Sequence, residues 1–583
     1  MRRGGRARGT RVTHEARSDG SAALAREPSG PVAADEASAA AAAPLPVASR
    51  PSPWACAPYR LLIGTWLGAN VCMSMHEATS AWLMASLGAS ALLVALLQSA
   101  ASLPSFLLAM PSGALTDLVD RRRILVAAHA LMSVVGLVLG IALLAGFASP
   151  GILLAGAFAV GVTLALRLPA HSALVQEVLP RASLPRAVVW NGAAMNAART
   201  VGPLIAGAII ASAGPAFAFL AMGLAMLAFT VVLARWPRPR APASTLPSER
   251  FIGAMRVGLQ FARETPAVRA ALIRGGCYFL TAVALVALLP VVVRDRLDAG
   301  PNTFTLLFGL FGLGAVTLAF TIGVLRRRLS RDGMIVTGIV LQTAAALAFA
   351  LTTNVAVLAA AMVASGFAWI SVAASLGVTA QLALPAWVRG RGLAAVQMAY
   401  MGGGTFGALL WGQIATTWNL QTAFVAAAVA TAAVNFVLAR RYPVSVLREE
   451  NLTPSRHWRE PEVAVPVEHD EGPVQVMVEY LIEPKNADAF VELMQASRRA
   501  RLRAGASSWA LFRDPANPGR YVEQWVEESW LELLRQRDKA TESERELRDA
   551  KWAFHVGPDA PVRTVLVAED VARRKPDEGS TSI

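Results

Sequence analysis

Residues 113–123 read GALTDLVDRRR, a short charged stretch between two long apolar runs. Each flanking run, near 89–112 and 122–147, is long enough to cross the roughly 30 Å hydrocarbon core of a bilayer as a helix. Gly113 would let two helices approach closely. Asp117 is placed where a carboxylate could cap a helix N-terminus and pair with an arginine. The stretch therefore predicts a tight, charged connection between two membrane spans.

Apolar runs of this kind continue from Leu61 to about Leu438. The chain has 583 residues, of which 55% are hydrophobic and only 16% are charged. Soluble proteins carry roughly 25% charged residues, so the composition indicates lipid as the solvent. We predict an all-α membrane protein of two parallel six-helix repeats, with spans near 60–85, 89–112, 122–147, 151–177, 187–212, 214–235, 270–293, 303–325, 333–352, 355–382, 392–416 and 421–440.

The net charge of +14 comes mainly from arginines that occupy every second connection between these spans. Arg121–Arg123 and Arg326–Arg328 are two examples, and the stretch 294–298, where acids accompany the bases, is the exception. By the positive-inside rule, both termini are expected in the cytoplasm. The arginines therefore report topology, and we expect no nucleic-acid partner.

The two halves of the apolar region show an internal repeat. We predict a register of 326 − 121 = 205 residues that persists without gaps. Two parallel copies of a six-helix unit are a way in which transporters build a central site between halves. Pairs at this offset include Arg121–Arg123 with Arg326–Arg328, Leu179-Pro180 with Leu384-Pro385, Gly202 with Gly407, and Gly207 with Gly412.

The connection at 113–123 resembles the loop signature of the major facilitator superfamily, G-x-L-x-D-R-x-G-R-R. The matching residues are Gly113, Asp117, Arg121 and Arg122, whereas Leu118 and Asp120 stand where arginine and glycine are usual. The resemblance implies a secondary transporter that works by alternating access, with the charges forming a latch on the cytoplasmic face. At the 205-residue offset, Ile322 and Leu325 replace the two acids, so the latch is expected in the first half alone.

Gly202, Pro203 and Gly207 in the fifth span resemble the Gly-Pro motif of exporter branches of this superfamily. His76-Glu77, followed by AWLM at 81–84, is similar to the branch that contains the enterobactin exporter and the transmembrane secretion effectors. This resemblance covers residues 58–557. It implies efflux by an antiporter in the bacterial cytoplasmic membrane, with protons and a small hydrophobic or amphiphilic molecule (drug, siderophore or secondary metabolite) as partners.

Ionisable side chains inside the spans are costly and therefore candidates for function. We interpret Glu77 as a proton-coupling carboxylate and His76 as a polar gate or relay. The alternative is that both lie at the outer interface and stabilise the end of the span. Arg199 is a candidate counter-charge or anchor for an anionic group. Further candidates for coupling or substrate binding are Asn70, Arg167 and Asn196.

Composition changes along the chain predict its domain organisation. The linker at 237–268 contains apolar residues at helical spacing, which predicts an amphipathic helix on the cytoplasmic membrane face. We expect a disordered basic tail (1–57), a first six-helix half (58–236), the linker (237–268), a second six-helix half (269–442), a second linker (443–471), a ferredoxin-like cytoplasmic domain (472–570) and a disordered tail (571–583).

The C-terminal domain is expected to have the order βαββαβ, which is ferredoxin-like. It resembles small antibiotic-biosynthesis-monooxygenase-like domains, which implies that it can form a homodimer through its sheet. Trp509, Trp525 and Trp552 could line a pocket, although aromatic residues at such spacings are more often core. Ser529-Trp530 is not followed by the histidine expected in relatives, which weakens an enzymatic interpretation.

Three hypotheses remain open at this point: a proton-driven exporter, a membrane-anchored monooxygenase-like enzyme whose chemistry lies in the tail, and a ligand sensor that does not transport. The first is favoured, and the protein is then not an enzyme. Cys56, Cys72 and Cys277 show no ligand spacing, so we expect no disulfide, metal or cofactor.

Overall fold

The computed structural model describes residues 52–237, 251–385, 387–444, 450–455 and 463–569. The predictions for residues 1–51 and 571–583 lie outside the described residues. Side chains also lie outside the description at positions 109, 110, 113, 114, 117, 118, 181, 251–255, 537 and 538. The close approach predicted for Gly113 and the side-chain role predicted for Asp117 therefore also lie outside the described residues.

The first half of the described bundle contains six helices. They are α1 (Ala57–Ser86), α2 (Ala91–Leu118), α3 (Arg121–Leu144), α4 (Pro150–Val178), α5 (Leu184–Ala213) and α6 (Pro215–Arg235).

A linker helix, α7 (Phe251–Glu264), precedes the second half. That half contains α8 (Pro266–Ala282), α9 (Ala284–Asp295), α10 (Pro301–Arg328), α11 (Arg331–Leu351), α12 (Val355–Leu382), α13 (Arg389–Thr417) and α14 (Leu420–Arg441).

Within the described residues, eleven helical segments are long and apolar enough to cross a membrane, with α8 and α9 together forming one of them. The thirty-residue helix α1 is not in this set. It contains Asn70, His76 and Glu77, which lower its average hydropathy. The three polar residues that lower the hydropathy of α1 are also functional candidates predicted from the sequence.

The gapless register of 205 residues fails at one connection. Helices α4 and α12 begin 355 − 150 = 205 residues apart, but α3 and α11 begin 331 − 121 = 210 apart. Arg121–Arg123 opens α3, whereas Arg326–Arg328 closes α10. Helices α2 and α10 also begin 301 − 91 = 210 residues apart, so the offset changes between α11 and α12, where the second half is five residues shorter than the first, and the two arginine triplets are not equivalent.

The N-termini of α3 and α11 show which residues do correspond. Asp120 caps α3, because its Oδ1 accepts hydrogen bonds from the backbone N–H groups of Arg122 (2.8 Å) and Arg123 (3.2 Å). Ser330 caps α11 in the same way, through the N–H of Gly333 at 3.1 Å. The capping role predicted for Asp117 thus belongs to Asp120, since Asp117 lies in the last turn of α2.

Small residues set the closest helix contacts. A Cβ on Gly403 of α13 would clash with the carbonyl oxygen of Gly276 in α8, and one on Gly407 would clash with that of Leu280. Such contacts bring two backbones together without lipid between them. The glycine-rich stretch of α13 therefore serves packing.

The two halves contact each other from the middle of the bundle to one of its ends. We call that end the distal side; it carries the connections at 87–90, 145–149 and 352–354, opposite the ends at which the chain enters α1 and leaves α14. Ser102 of α2 and Thr405 of α13 share a hydrogen bond of 2.7 Å between their hydroxyl groups. Leu92 of α2 donates its N–H to Thr416 of α13 at 2.9 Å.

Arg294 adds a further bridge at the distal end. Its guanidinium donates to the carbonyl oxygens of Ala85 (2.5 Å) and Ala89 (3.2 Å), which belong to the first half. It also pairs with its neighbour Asp295. This use explains why the stretch 294–298 breaks the arginine pattern, since Arg294 here satisfies helix-end carbonyls and joins the two halves.

The C-terminal domain contains a four-stranded antiparallel sheet with helices on one face. Its elements are β1 (Val474–Leu481), α15 (Ala487–Ala504), β2 (Ser508–Arg513), β3 (Arg520–Glu527), α16 (Trp530–Lys539), α17 (Glu542–Trp552) and β4 (Arg563–Val567), with the strand order β2-β3-β1-β4. Side chains of β1 and β3 alternate between the buried face and the open face. The second helix of the predicted order βαββαβ is divided into two helices, because Thr541 and Glu544 form a capping box that starts α17.

The linker helix α7 packs between the C-terminal domain and the second half of the bundle. Phe261 contacts Trp387 edge-on at 5.7 Å on the bundle side. Gln260 donates to the carbonyl oxygen of Ala506 at 2.9 Å, and Arg256 pairs with Glu528 at 2.5 Å on the domain side. The amphipathic helix forms where it was predicted, but its apolar residue Phe261 is covered by protein and is only 2% exposed.

Neighbouring glycines in α13 give a matched test of this packing. Gly403→Ala should destabilise the protein by about 1–3 kcal/mol, because the added methyl group overpacks against α8. Gly404→Ala should be neutral or slightly stabilising, because nothing lies within 4 Å of its Cβ position and alanine favours helix. The thermal midpoints of the two purified variants measure the difference; equal midpoints would contradict the packing role.

Candidate functional site

A cavity of ≈ 190 Å³ lies between the two halves. All polar and charged lining side chains come from the first half, which also contributes apolar ones such as Met73, Leu97 and Leu164, and the second half contributes only aromatic and aliphatic ones. The lining includes His76, Glu77, Ser80, Gln98, Ser102 and Arg199 from the first half, and Val283, Val286, Phe304, Phe308, Phe311, Trp369 and Met401 from the second.

Glu77 on α1 and Arg199 on α5 are the oppositely charged residues of this wall. They interact electrostatically, yet no ion pair within 4.0 Å and no hydrogen bond joins these two described side chains. The packing of their helices places them there, because a Cβ on Gly202 would meet the Cβ of Ser74 at 2.6 Å. The Gly-Pro motif thus holds α5 against α1 at the level of the charges.

His76 lines the same cavity although it is adjacent to Glu77 in sequence. It is 3% exposed, and its Nε2 lies 3.4 Å from the hydroxyl of Ser80. Its ring packs edge-on against Phe219 of α6 with a centroid distance of 5.5 Å. His76 is therefore a buried wall residue of the cavity, and the predictions of Glu77, His76 and Arg199 converge on one place.

The aromatic wall was not predicted from the sequence. Phe304 and Phe308, one turn apart on α10, stack at 5.8 Å, and Phe311 contacts Trp369 of α12 at 5.7 Å. The signal was available as aromatic residues at positions i, i+4 and i+7 of one span, which place side chains on one helix face. Phe304 also stacks on Trp82 of α1 at 5.8 Å, a contact between the two halves.

The other three candidates lie away from this wall. Arg167 of α4 is 1% exposed and donates to the Oδ1 of Asn70 at 2.9 Å. Its guanidinium lies 4.8 Å from the ring centroid of Trp66. Asn196 donates to the backbone carbonyl of Gly192 at 3.1 Å. Neither Asn70, Arg167 nor Asn196 is among the cavity-lining residues.

The arginines after Asp120 connect helices within the first half. Arg121 pairs with Glu177 near the end of α4. Arg122 donates to the carbonyl oxygen of Leu233 at the end of α6, at 2.8 Å. The second half has its own buried ion pair, missed from the sequence, between Arg274 and Asp332 at 2.7 Å.

A buried polar network lies inside the C-terminal domain. Lys551 pairs with the Oε2 of Glu523 at 2.9 Å, and both side chains are almost fully buried. Trp509 donates its Nε1 to the Oε1 of Glu523 at 3.0 Å. Burial alone would raise the pKa of Glu523, but Lys551 and Arg501 outweigh it and lower the pKa to about 2. Trp509 is therefore a structural donor in this network.

Glu527, at the end of β3, titrates differently. Burial raises its pKa to about 7, against the opposing charges of Lys539 and Arg501. Gln536 donates to its Oε1 at 3.1 Å. Burial also raises the pKa of Glu544 in α17, and a pKa of about 7 means that the charge state of Glu527 changes near neutral pH. The described residues of the whole chain contain no cluster of three or more His, Cys, Asp or Glu side chains suited to a metal ion.

Solved structures with this architecture are transporters. The nucleoside transporter NupG matches with a TM-score of 0.52 at 12% identity, over 66% of this chain and 98% of that chain. A bacterial homologue of the human lysosomal transporter Spinster, inward-facing and unoccupied, gives 0.53 at 14% identity, over 66% and 98%. A transporter of the POT family in complex with 5-aminolevulinic acid gives 0.56 at 12%, over 67% and 97%.

At sequence identities this low, the structural likeness establishes the fold alone. That fold is the one of a multi-pass membrane transporter with a cavity between two halves. The chain belongs to the transmembrane secretion effector family, whose sequence profile matches residues 48–574. It is thus a secondary transporter of the major facilitator superfamily, as the signature at 113–123 predicted. No curated protein matches the chain.

The raised pKa of Glu527 predicts that the stability of the C-terminal domain depends on pH. A folded-state pKa of about 7, against an ordinary value of 4.5, means that the folded domain binds this proton more tightly than the unfolded chain. The free energy of unfolding of the domain should therefore fall by up to about 3 kcal/mol as pH rises from 4.5 to 7. Hydrogen exchange of the β3 amides in the full-length protein measures this change.

Glu527→Gln should remove most of that pH dependence, since glutamine does not ionise. The neighbouring Glu528→Gln is the matched control, because that side chain is 42% exposed and its substitution should leave the slope intact. A slope that persists in Glu527→Gln would contradict the assignment.

Proposed function

We propose that this protein exports a small amphiphilic molecule across the bacterial cytoplasmic membrane in exchange for protons. The observation that carries the proposal is the placement of Glu77 and Arg199 on one side of a cavity whose other side is aromatic. Charged groups buried in a membrane protein commonly mark substrate or proton pathways. Facing walls of different polarity suit a ligand that has a polar end and an apolar body.

The proposed cycle moves the two halves relative to each other around this cavity. In the conformation described here, the Trp82–Phe304 contact and the hydrogen bonds from Arg294 join the halves on the distal side, and Ser102–Thr405 joins them near the middle of the bundle. Opening the distal side requires these contacts to break while the contacts within each half persist. Glu77 would then take up a proton from that side, the substrate would leave, and the halves would return.

Three further assignments belong to this proposal. Helix α1 is the twelfth span, so that the bundle consists of two parallel six-helix repeats. Both termini are cytoplasmic, which the arginines at alternate connections support. The chain lies in the branch that contains the enterobactin exporter, supported by His76-Glu77 and by the Gly-Pro motif at Gly202-Pro203.

For the C-terminal domain we propose a ferredoxin-like fold and a regulatory or dimerising role. Its strand order and element sequence support this fold. The open face of the sheet exposes Phe512 and Leu566, which offers a surface for a second copy of the domain. The engagement of Trp509 with Glu523 in a satisfied buried network favours this role over a monooxygenase-like activity.

Glu77→Gln tests proton coupling. Uptake of a panel of fluorescent amphiphiles into inverted vesicles, which reports export from the cytoplasmic face, should depend on the pH gradient in the natural protein. In Glu77→Gln that dependence should disappear, because the side chain no longer exchanges a proton, with gradient-driven flux reduced by about two orders of magnitude.

The control is Arg263→Gln, which neutralises an exposed charge in α7 and should leave flux unchanged. Full gradient-dependent flux in Glu77→Gln would remove Glu77 from the coupling mechanism. A natural protein whose flux ignores the gradient would refute proton coupling itself.

A further inference from the structure

The cavity contains two opposite charges whose hydrogen-bonding capacity is unused. Neither Glu77 nor Arg199 makes a hydrogen bond or an ion pair within 4.0 Å with any described residue. Arg167, outside the cavity, donates one N–H to Asn70, and Arg274 is paired with Asp332, so each has at least one polar partner even though other nitrogens of both guanidinium groups make no hydrogen bond. A buried charge without hydrogen-bond partners is expensive, so the two cavity charges are positioned for groups that come from a ligand.

A ligand with one charge would satisfy only one of them. An anion could bind Arg199, but its charge would then lie beside the carboxylate of Glu77. A cation could bind Glu77, but it would lie beside the guanidinium of Arg199. Like charges in a medium of low dielectric repel strongly. The cavity is therefore matched to a ligand that carries both signs.

We propose that the transported ligand is a zwitterion with an apolar, preferably aromatic, body. Its ammonium group binds Glu77, its acidic group binds Arg199, and its body lies against Phe304, Phe308 and Trp369. Charge-assisted hydrogen bonds are stronger than neutral ones, and edge-to-face or offset ring contacts stabilise aromatic groups on such a wall. This inference rests on the proposed function only in taking the cavity as the transport site.

The ligand and the proton then compete for the same carboxylate. Glu77 binds an ammonium group only when it is ionised, so protonation of Glu77 releases the zwitterion. A site at which proton and substrate exclude each other performs exchange, because one species leaves when the other arrives. The charge arrangement thus supplies a physical reason for antiport.

A matched set of indoles tests the charge requirement. L-tryptophan is a zwitterion, tryptamine a cation and indole-3-propionate an anion at neutral pH, and all three contain the same ring. Binding of each to the full-length protein in nanodiscs is measured by titration calorimetry. Tryptophan should bind at least about tenfold more tightly than either analogue, since each lost charge pair costs at least ~1.4 kcal/mol.

Charge-neutralising variants separate the two contacts. In Glu77→Gln the preference for tryptophan over indole-3-propionate should disappear. In Arg199→Gln the preference for tryptophan over tryptamine should disappear. Arg263→Gln should keep both preferences, and monodisperse elution of each variant confirms that it folds.

Each outcome decides the inference. Equal or tighter binding of a singly charged indole, or no binding of any of the three, would overturn it. Binding preferences that survive both cavity variants would overturn it as well. If tryptophan is preferred as expected but flux ignores the pH gradient, the zwitterion site stands and the proton-coupled exchange fails, so the two failures are distinguishable.

Discussion

A charged side chain inside a membrane-embedded bundle has to be stabilised by an opposite charge or by hydrogen bonds. Much of this structure depends on which groups provide that stabilisation. Removal of a charge from water into hydrocarbon costs about 3 kcal/mol or more. Arg167 is stabilised in part by Asn70 and by the face of Trp66, although its Nε and one terminal nitrogen make no hydrogen bond. Glu77 and Arg199 instead face a shared cavity. We therefore propose that Glu77 and Arg199 are the functional pair, since neither makes a hydrogen bond or ion pair with a described residue and a ligand could supply their partners.

Close helix packing holds that pair in place. Gly202 brings α5 against α1 at Ser74, and Gly207 brings the same helix against Thr305 of α10. The first contact lies within one half and the second joins the two halves. Helix α5 thus connects the charged wall to the moving boundary. In the proposed cycle, a change of charge at Glu77 would be transmitted to the boundary through this helix, since packed interfaces switch between discrete arrangements.

Much of the fold could be predicted from the sequence, because hydrocarbon thickness and arginine placement are recorded in residue patterns. The membrane class and the superfamily were predicted correctly, whereas the predicted span 270–293 is divided between α8 and α9. The predicted register of the repeat was wrong for α3 and α11. The two arginine triplets mark the same membrane face, but one lies at the start of a helix and the other at the end of a helix. For the site, sequence identified Glu77, His76 and Arg199, because charge in an apolar run is conspicuous. Phe304 and Trp369 were not predicted, because a sequence pattern does not distinguish an aromatic residue in the core from one that lines a cavity. That distinction requires the positions of the helices.

The central claim is that the protonation of Glu77 controls the relative position of the two halves. Electron–electron distances between spin labels at Ala148→Cys and Thr353→Cys, on distal connections of the first and second halves, test it most directly in a background without the native cysteines. The natural Glu77 should give a distance distribution that changes between acidic and alkaline pH, and Glu77→Gln should give one that does not. A distribution that ignores pH with Glu77 present, or the same pH response in Glu77→Gln, would contradict the account.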